Sequence, residues 1–206
     1  MVPLSERQVA AYDKVWSDSL SRLVFGSNYV EEAGLDEEIS ARICKEIFEG
    51  KSDHIELSKE EYEDAVEYRR AGMLKSRLDN GQVVSEKDVK CGLRDVAQHT
   101  LAAKQLFTHM VAQDEPLTED LIKATHRTLT DGIDAHDGDE SSAYSGIYRT
   151  VVVTADFSIF THADFISSAM ERLTPDDRQA ESGEGSIHPY TLASKYCHEF
   201  VNPSIP

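Results

Sequence analysis

Cysteine is scarce in this chain, and its three copies, Cys44, Cys91 and Cys197, stand far apart. An odd number with no C-x-x-C spacing excludes a disulfide framework and a zinc site, and leaves reduced core thiols. Long apolar runs are missing too. None approaches the roughly 18 residues that a membrane span needs. The N-terminal stretch MVPLSERQVAAYDKVW lacks the basic start and apolar h-region of a secretory signal, so an intracellular, cytoplasmic protein is expected. Positive charge is also short: 21 Lys and Arg face 38 Asp and Glu, a formal net charge of −17. Such a surface repels phosphate backbones, which excludes direct nucleic-acid binding and leaves a solvated acidic surface. There is no Walker loop, no G-x-G-x-x-G, no G-x-S-x-G, and no H-x-x-x-H among the eight histidines.

What is present is helical. The length of 206 residues suffices for one domain with a sizeable core. Val9, Tyr12, Trp16, Leu20 and Leu23 recur at three- and four-residue steps, which predicts an amphipathic helix over 5–25 with Ser5 as its N-cap. Gly26, Ser27 and Asn28 are expected to break it. Asp36 should cap a second helix with Ile39, Ile43 and Ile47 on one face, closed by Gly50. Ser58 and Glu61 have the spacing of a capping box. "DNG" at 79–81 predicts a turn, and Ser85 with Asp88 starts a helix holding Val89, Leu93, Val96, Leu101, Leu106 and Met110. That run is too long for a single face without a bend. Thr118 should cap the helix of Leu121, Thr125 and Leu129. "YRTVVVTADFSIF" at 148–160 is the one β stretch, a hairpin turning near Ala155 and Asp156. Helices over Phe165, Ile166, Met170 and Leu173 and over 188–201 follow. The class is mainly α with one hairpin.

Residue chemistry alone points to little more. The acidic loop "DGIDAHDGDE" (131–140) clusters oxygens, yet its Gly and final Glu are out of EF-hand register, so a solvated loop is expected. His99 and His126 read as helix-face residues.

Three segments, in this order, resemble the Fic (Fido) family, whose members usually transfer AMP from ATP to protein hydroxyls. "FGSNYVEEAGL" resembles the inhibitory helix S/T-x-x-x-E-G/N and puts Ser27 and Glu31 on its key positions. "GIYRTVVVTADFSIFTHADFISSAMERL" resembles the G-x-Y-R start, the β-hairpin flap and the helix after it. "ASKYCHEFVN" resembles the helix that leads into the catalytic loop. The resemblance covers about Val15 to Asn202. It implies a Fic-like helical bundle with a flap, incomplete at the C-terminus, with N-terminal helices over 1–50 and a truncated Fido-like domain over 51–206. It also implies that Gly146, Tyr148, Arg149, Thr150, Val151, Val152, Val153 and Thr154 form a flap that aligns a target segment by main-chain pairing.

The family signature, H-P-F-x-D/E-G-N-G-R-x-x-R, supplies a general base, a Mg²⁺ carboxylate, a phosphate-binding turn and arginines. It does not occur in these 206 residues, where Asn202 is followed by Pro203-Ser204-Ile205-Pro206. His188-Pro189-Tyr190 and His198-Glu199-Phe200 imitate its opening without the carboxylate or glycines, so both histidines are expected to be non-catalytic. No catalytic residue, metal site or cofactor is therefore assigned to this chain, although the intact family uses ATP and Mg²⁺. Glu32 stands where the inhibitory motif has Gly or Asn. In the family the motif glutamate pairs with the last signature arginine and blocks productive ATP binding; Glu31 has no such arginine here. Three expectations stay open. The chain is a Fic-type polypeptide without AMP transfer, or a non-enzymatic module binding an extended peptide or protein target through the flap. In the third, its end is an artefact of the coding sequence, and an AMP-transferring enzyme continues past Asn202. No membrane or nucleic-acid partner is expected.

Overall fold

In the computed structural model, helices begin where the sequence supplies caps. The structure describes residues 6–51, 55–75, 83–133, 143–152, 154–155 and 158–173, without the side chains of 6–13, 73–75, 154–155, 158–159 and 172–173. Six α-helices lie among them: α1 (Glu6–Val30), α2 (Glu37–Phe48), α3 (Lys59–Lys75), α4 (Glu86–Phe107), α5 (Glu119–Thr130) and α6 (Ile166–Leu173). The class is mainly α.

Each expected cap within this range is made. Asp36 Oδ1 accepts from the backbone N–H of Glu38 and Ile39, at 2.9 and 3.0 Å, and starts α2. Ser58 and Glu61 form a reciprocal box at α3: Ser58 N–H donates to Glu61 Oε2 (2.8 Å) and Glu61 N–H to Ser58 Oγ (3.2 Å). Ser85 and Asp88 repeat the device at α4, with Ser85 N–H donating to Asp88 Oδ2 at 2.7 Å and Asp88 N–H to Ser85 Oγ at 3.3 Å. Thr118 Oγ1 accepts from Leu121 N–H at 3.1 Å and starts α5. The long apolar run after Ser85 changes winding: α4 ends at Phe107 and passes into a π-helical turn, Thr108–Ala112.

The expected break at Gly26, Ser27 and Asn28 does not occur, and α1 continues to Val30. Gly26 lowers helix propensity but meets no obstacle, since a Cβ there would have nothing within 4 Å. Asn28 belongs to the buried side of α1 with Leu20, Val24 and Ser21, so tertiary packing overrides its preference for turns.

The chain packs as two compact units, one up to Gln105 and one from Leu106. The core of the first unit joins Val24 of α1, Leu35 of the connecting turn, and Ile39, Ile43, Cys44 and Ile47 of α2. Ala65 of α3 and Val84, Val89 and Val96 complete it from the α3 and α4 side. Ile39, Ile43 and Ile47 at four-residue steps bury one face of α2, worth about 2 kcal/mol each by area removed from water. Gly92 lets α4 approach the α1–α2 turn: a Cβ there would lie 2.5 Å from Gly34 O and 2.9 Å from Leu35 Cδ2.

In the second unit, two strands of two residues, β1 (Thr154–Ala155) and β2 (Ser158–Ile159), pair antiparallel with Thr154 opposite Ile159 and Ala155 opposite Ser158. A 3₁₀ turn, Ala163–Phe165, leads into α6, which buries Ala169 and Met170. The helix expected over 188–201, the Ser5 cap and the turn at 79–81 lie outside the described residues.

Candidate functional site

Two places carry the residues singled out in the sequence, one in each unit. The first is the end of α1. Glu31 N–H donates to Ser27 O at 3.4 Å, so Ser27 and Glu31 are one turn apart, and both are exposed. The chain then reverses in a Schellman turn. Glu32 N–H donates to Tyr29 O (3.3 Å) and Ala33 N–H to Asn28 O (2.8 Å), with Glu32 left-handed at φ +55°. The α2 helix ends in the same way. Gly50 N–H donates to Ile47 O (3.1 Å) and Lys51 N–H to Glu46 O (2.8 Å), with Gly50 at φ +84°. A non-glycine residue held left-handed costs about 1–2 kcal/mol, so the α1 turn is held by more than its own backbone.

What holds it comes from α3 and α4. Asn28 is fully buried, and its side-chain carbonyl oxygen Oδ1 accepts from His99 Nδ1–H of α4 at 2.5 Å. Its amide nitrogen Nδ2 is buried without a partner among the described residues. One turn back on α4, Asp95 Oδ2 accepts from Gly34 N–H at 3.3 Å. From α3, Arg69 Nη1 donates to Glu32 O at 3.2 Å. Gly34 itself is left-handed at φ +71°, and a Cβ there would sit 2.8 Å from Asn28 Cβ. Burial lowers the His99 pKa below its ordinary 6.5, against the carboxylates of Asp95 and Glu31, which pull it up. His99 is thus no simple helix-face residue. Sequence reasoning missed Asn28, Asp95 and His99 as a group, because 61 and 71 residues separate the bonded partners. No local pattern marks them, since Gly26, Ser27 and Asn28 read as a helix break.

The second place follows α5. Gly146 is left-handed at φ +67°, and its hydrogen faces α5 so closely that a Cβ would lie 2.7 Å from Lys123 O. Its N–H donates to His126 Nδ1 at 2.9 Å, which gives His126 an acceptor role that its position on a helix face did not suggest. The Tyr148 ring lies under Lys123 Nζ, 4.3 Å from the centroid, and Lys123 also donates to Glu119 at 2.6 Å. Burial first, then the Glu119 carboxylate, pushes the Tyr148 hydroxyl far above its ordinary range, so it stays protonated. Arg149 donates to Val151 O at 2.7 Å and to Thr161 O, one carbonyl on each side of the β1–β2 pair. Thr150, Val151 and Val152 are exposed, as is Ile147 at 53%. Val153 lies outside the described residues, and Thr154 is described through its backbone pairing alone. The structure thus gathers Gly146, Tyr148 and Arg149 into one strut that anchors the loop.

His188, His198 and Cys197 lie outside the described residues, as does most of the acidic loop. Among the described residues no three His, Cys, Asp or Glu side chains are placed to hold a metal ion. Among them, too, no helix is long and apolar enough to cross a membrane. A groove of about 560 Å³ between α1 and α2 is lined by Ser17, Asp18, Arg22, Glu37, Arg42 and Lys45. Its charges are mixed and it contains none of the expected site residues.

Comparisons with protein-family models, with curated proteins and with solved structures find no match.

Proposed function

We propose that this chain is a Fic-type polypeptide whose N-terminal helices, over residues 1–50, include an inhibitory-like helix, with a target-aligning flap in the Fido-like part that follows. The observation that carries the reading is the backbone at residue 32. The motif S/T-x-x-x-E-G/N puts Gly or Asn directly after its glutamate, and Glu32 stands there in the left-handed conformation that Gly and Asn adopt most readily. The backbone at this position would therefore suit the residues of the motif, although the residue itself departs from it. A second support is the strut. Gly146 packs where a Cβ would clash with Lys123 O, the Tyr148 ring lies under Lys123 Nζ, and Arg149 donates to Thr161 O.

On this reading Ser27 and Glu31 mark the inhibitory-like helix, and no catalytic group is assigned among the 206 residues. ATP and Mg²⁺ belong to the family's signature, which these residues lack. The setting is the cytoplasm, where thiols stay reduced; Cys44 and Cys91 are free thiols. Labelled ATP with Mg²⁺ tests the catalytic part: no label should pass to protein. Transfer that disappears in His188→Ala or His198→Ala would overturn it. Sequencing the transcript past the Asn202 codon tests whether the end of this sequence is an artefact. A signature there makes the longer protein an AMP-transferring enzyme with Glu31 as its candidate inhibitor, and its absence leaves the chain a Fic-type polypeptide without AMP transfer.

The exposed apolar residues Ile147, Val151 and Val152 favour a second reading, a module that binds an extended protein segment beside the β1–β2 pair. Peptide-array binding that is lost in Val151→Lys, with helicity retained, is the expected outcome. Unchanged binding would remove the flap from the account.

A further inference from the structure

Helix α1 turns Leu20, Ser21, Val24 and Asn28 into the core, and its opposite side is not the polar face that solvent calls for. Val15, Leu23 and Val30 lie there 65, 61 and 77% exposed. Between them stand two small residues, Ser19 and Gly26. Positions 15, 19, 23, 26 and 30 thus follow at steps of four and three, the spacing of a seam between paired helices. Gly26 leaves a notch in the seam, for a Cβ there would meet nothing within 4 Å. Lys14, Asp18 and Arg22, all exposed, run along its edge at four-residue steps with alternating sign.

The alternating edge decides what can cover the seam. A second copy laid parallel would set Asp18 against Asp18 and Arg22 against Arg22. Laid antiparallel and centred level with the Leu20–Ser21 peptide, it sets Val15 level with Gly26 and Ser19 level with Arg22, with Asp18 one residue away. Each of these pairs occurs twice. Glu31, just past the end of α1, falls level with Ala10 and not with another carboxylate. We propose that the outer face of α1 is a self-association surface, on which a second copy of this chain pairs antiparallel. Val15 of each copy fills the notch at Gly26 of the other, and Arg22 of each lies over Ser19 and reaches Asp18. Over the 25 residues of α1, about 37 Å, a strip about 10 Å wide falls short of a permanent interface, so the dimer is reversible and forms at micromolar concentrations. The net charge of −17 on each copy opposes the pairing, and physiological salt screens that repulsion within about 8 Å. The inference stands on α1 and does not depend on the proposed function.

Sedimentation equilibrium of the whole chain at about 0.15 M salt, from about 1 to about 200 µM, tests it. The wild type should pass from monomer to dimer over that range. Gly26→Gln should stay monomeric: the monomer has room for the side chain and gains a better helix former, whereas the paired helices have no room. Asp18→Arg should weaken the dimer about tenfold or more, since only arginines then face one another along the edge. Asp18→Arg combined with Arg22→Asp should restore it. A wild type that is monomeric at every concentration overturns the inference and leaves the face to a different protein. So does a dimer that persists in Gly26→Gln or ignores Asp18→Arg. Should Gly26→Gln fail to fold, the charge exchange decides: restoration in the double variant supports the antiparallel pair, and its failure overturns it.

Discussion

Helices α1 and α2 end in the same six-residue turn and are held there by different means. At α2 the left-handed position is Gly50, a Cβ on which would meet nothing within 4 Å. The backbone can take that turn unaided, although Lys104 Nζ also donates to Ile47 O at 2.8 Å. At α1 the left-handed position is Glu32, and the turn is framed by Arg69, Asp95 and His99 from elements far along the chain. A turn fixed by local propensity is nearly independent of the rest of the unit. A turn fixed by tertiary contacts can report on them, which suits a segment whose exposed carboxylate, Glu31, is the proposed regulatory group.

Substitutions should separate the two turns, and the largest effect is expected at Gly34. Gly34→Ala adds a Cβ 2.8 Å from Asn28 Cβ at a left-handed position, so strain and overpacking together should destabilise by about 3 kcal/mol. Gly50→Ala carries the backbone strain alone, and urea denaturation should show a loss of about 1 kcal/mol. Asn28→Ala comes next. It removes the acceptor of His99 Nδ1–H in a buried position, which should lower stability by about 2 kcal/mol in the same assay.

The caps and the α2 face were legible in the sequence because their signals lie within four residues: Asp36 to Ile39, Ser58 to Glu61, Ser85 to Asp88, Thr118 to Leu121. Their geometry needs nothing from the rest of the chain. The continuation of α1 through Gly26 and Asn28 was not legible, since Asn28 is a helix residue by virtue of the buried site it enters, formed with a side chain 71 positions away. The same limit applies to the strut. G-x-Y-R stood out as a pattern, but the reasons for its residues lie on α5, at Lys123 and His126, and at Thr161. The helix was expected to break at Ser27, whereas in the structure it runs on past that residue and Glu31 N–H donates to Ser27 O. The residues that frame them came from three-dimensional packing alone.

Smaller effects sharpen the comparison further. Glu32→Gly should stabilise by about 1 kcal/mol by relieving the left-handed strain at α1, and Gly50→Glu should destabilise α2 by a similar amount. Equal signs for the two exchanges would break the claim that the turns share one geometry. Arg149→Ala should leave global stability within about 0.5 kcal/mol, because the segment it braces is exposed. It should nonetheless speed limited proteolysis between Ile147 and Thr161, as both braced carbonyls lose their donor.

The homologous amides of the two turns give the most direct measurement. Ala33 N–H bonds Asn28 O, and Lys51 N–H bonds Glu46 O, the same link in each turn. Hydrogen exchange of both, compared between the wild type and Asn28→Ala at one pH, separates tertiary from local control. Protection of Ala33 should drop about tenfold or more while that of Lys51 is unchanged. A parallel drop at both amides, or none at Ala33, would contradict the account.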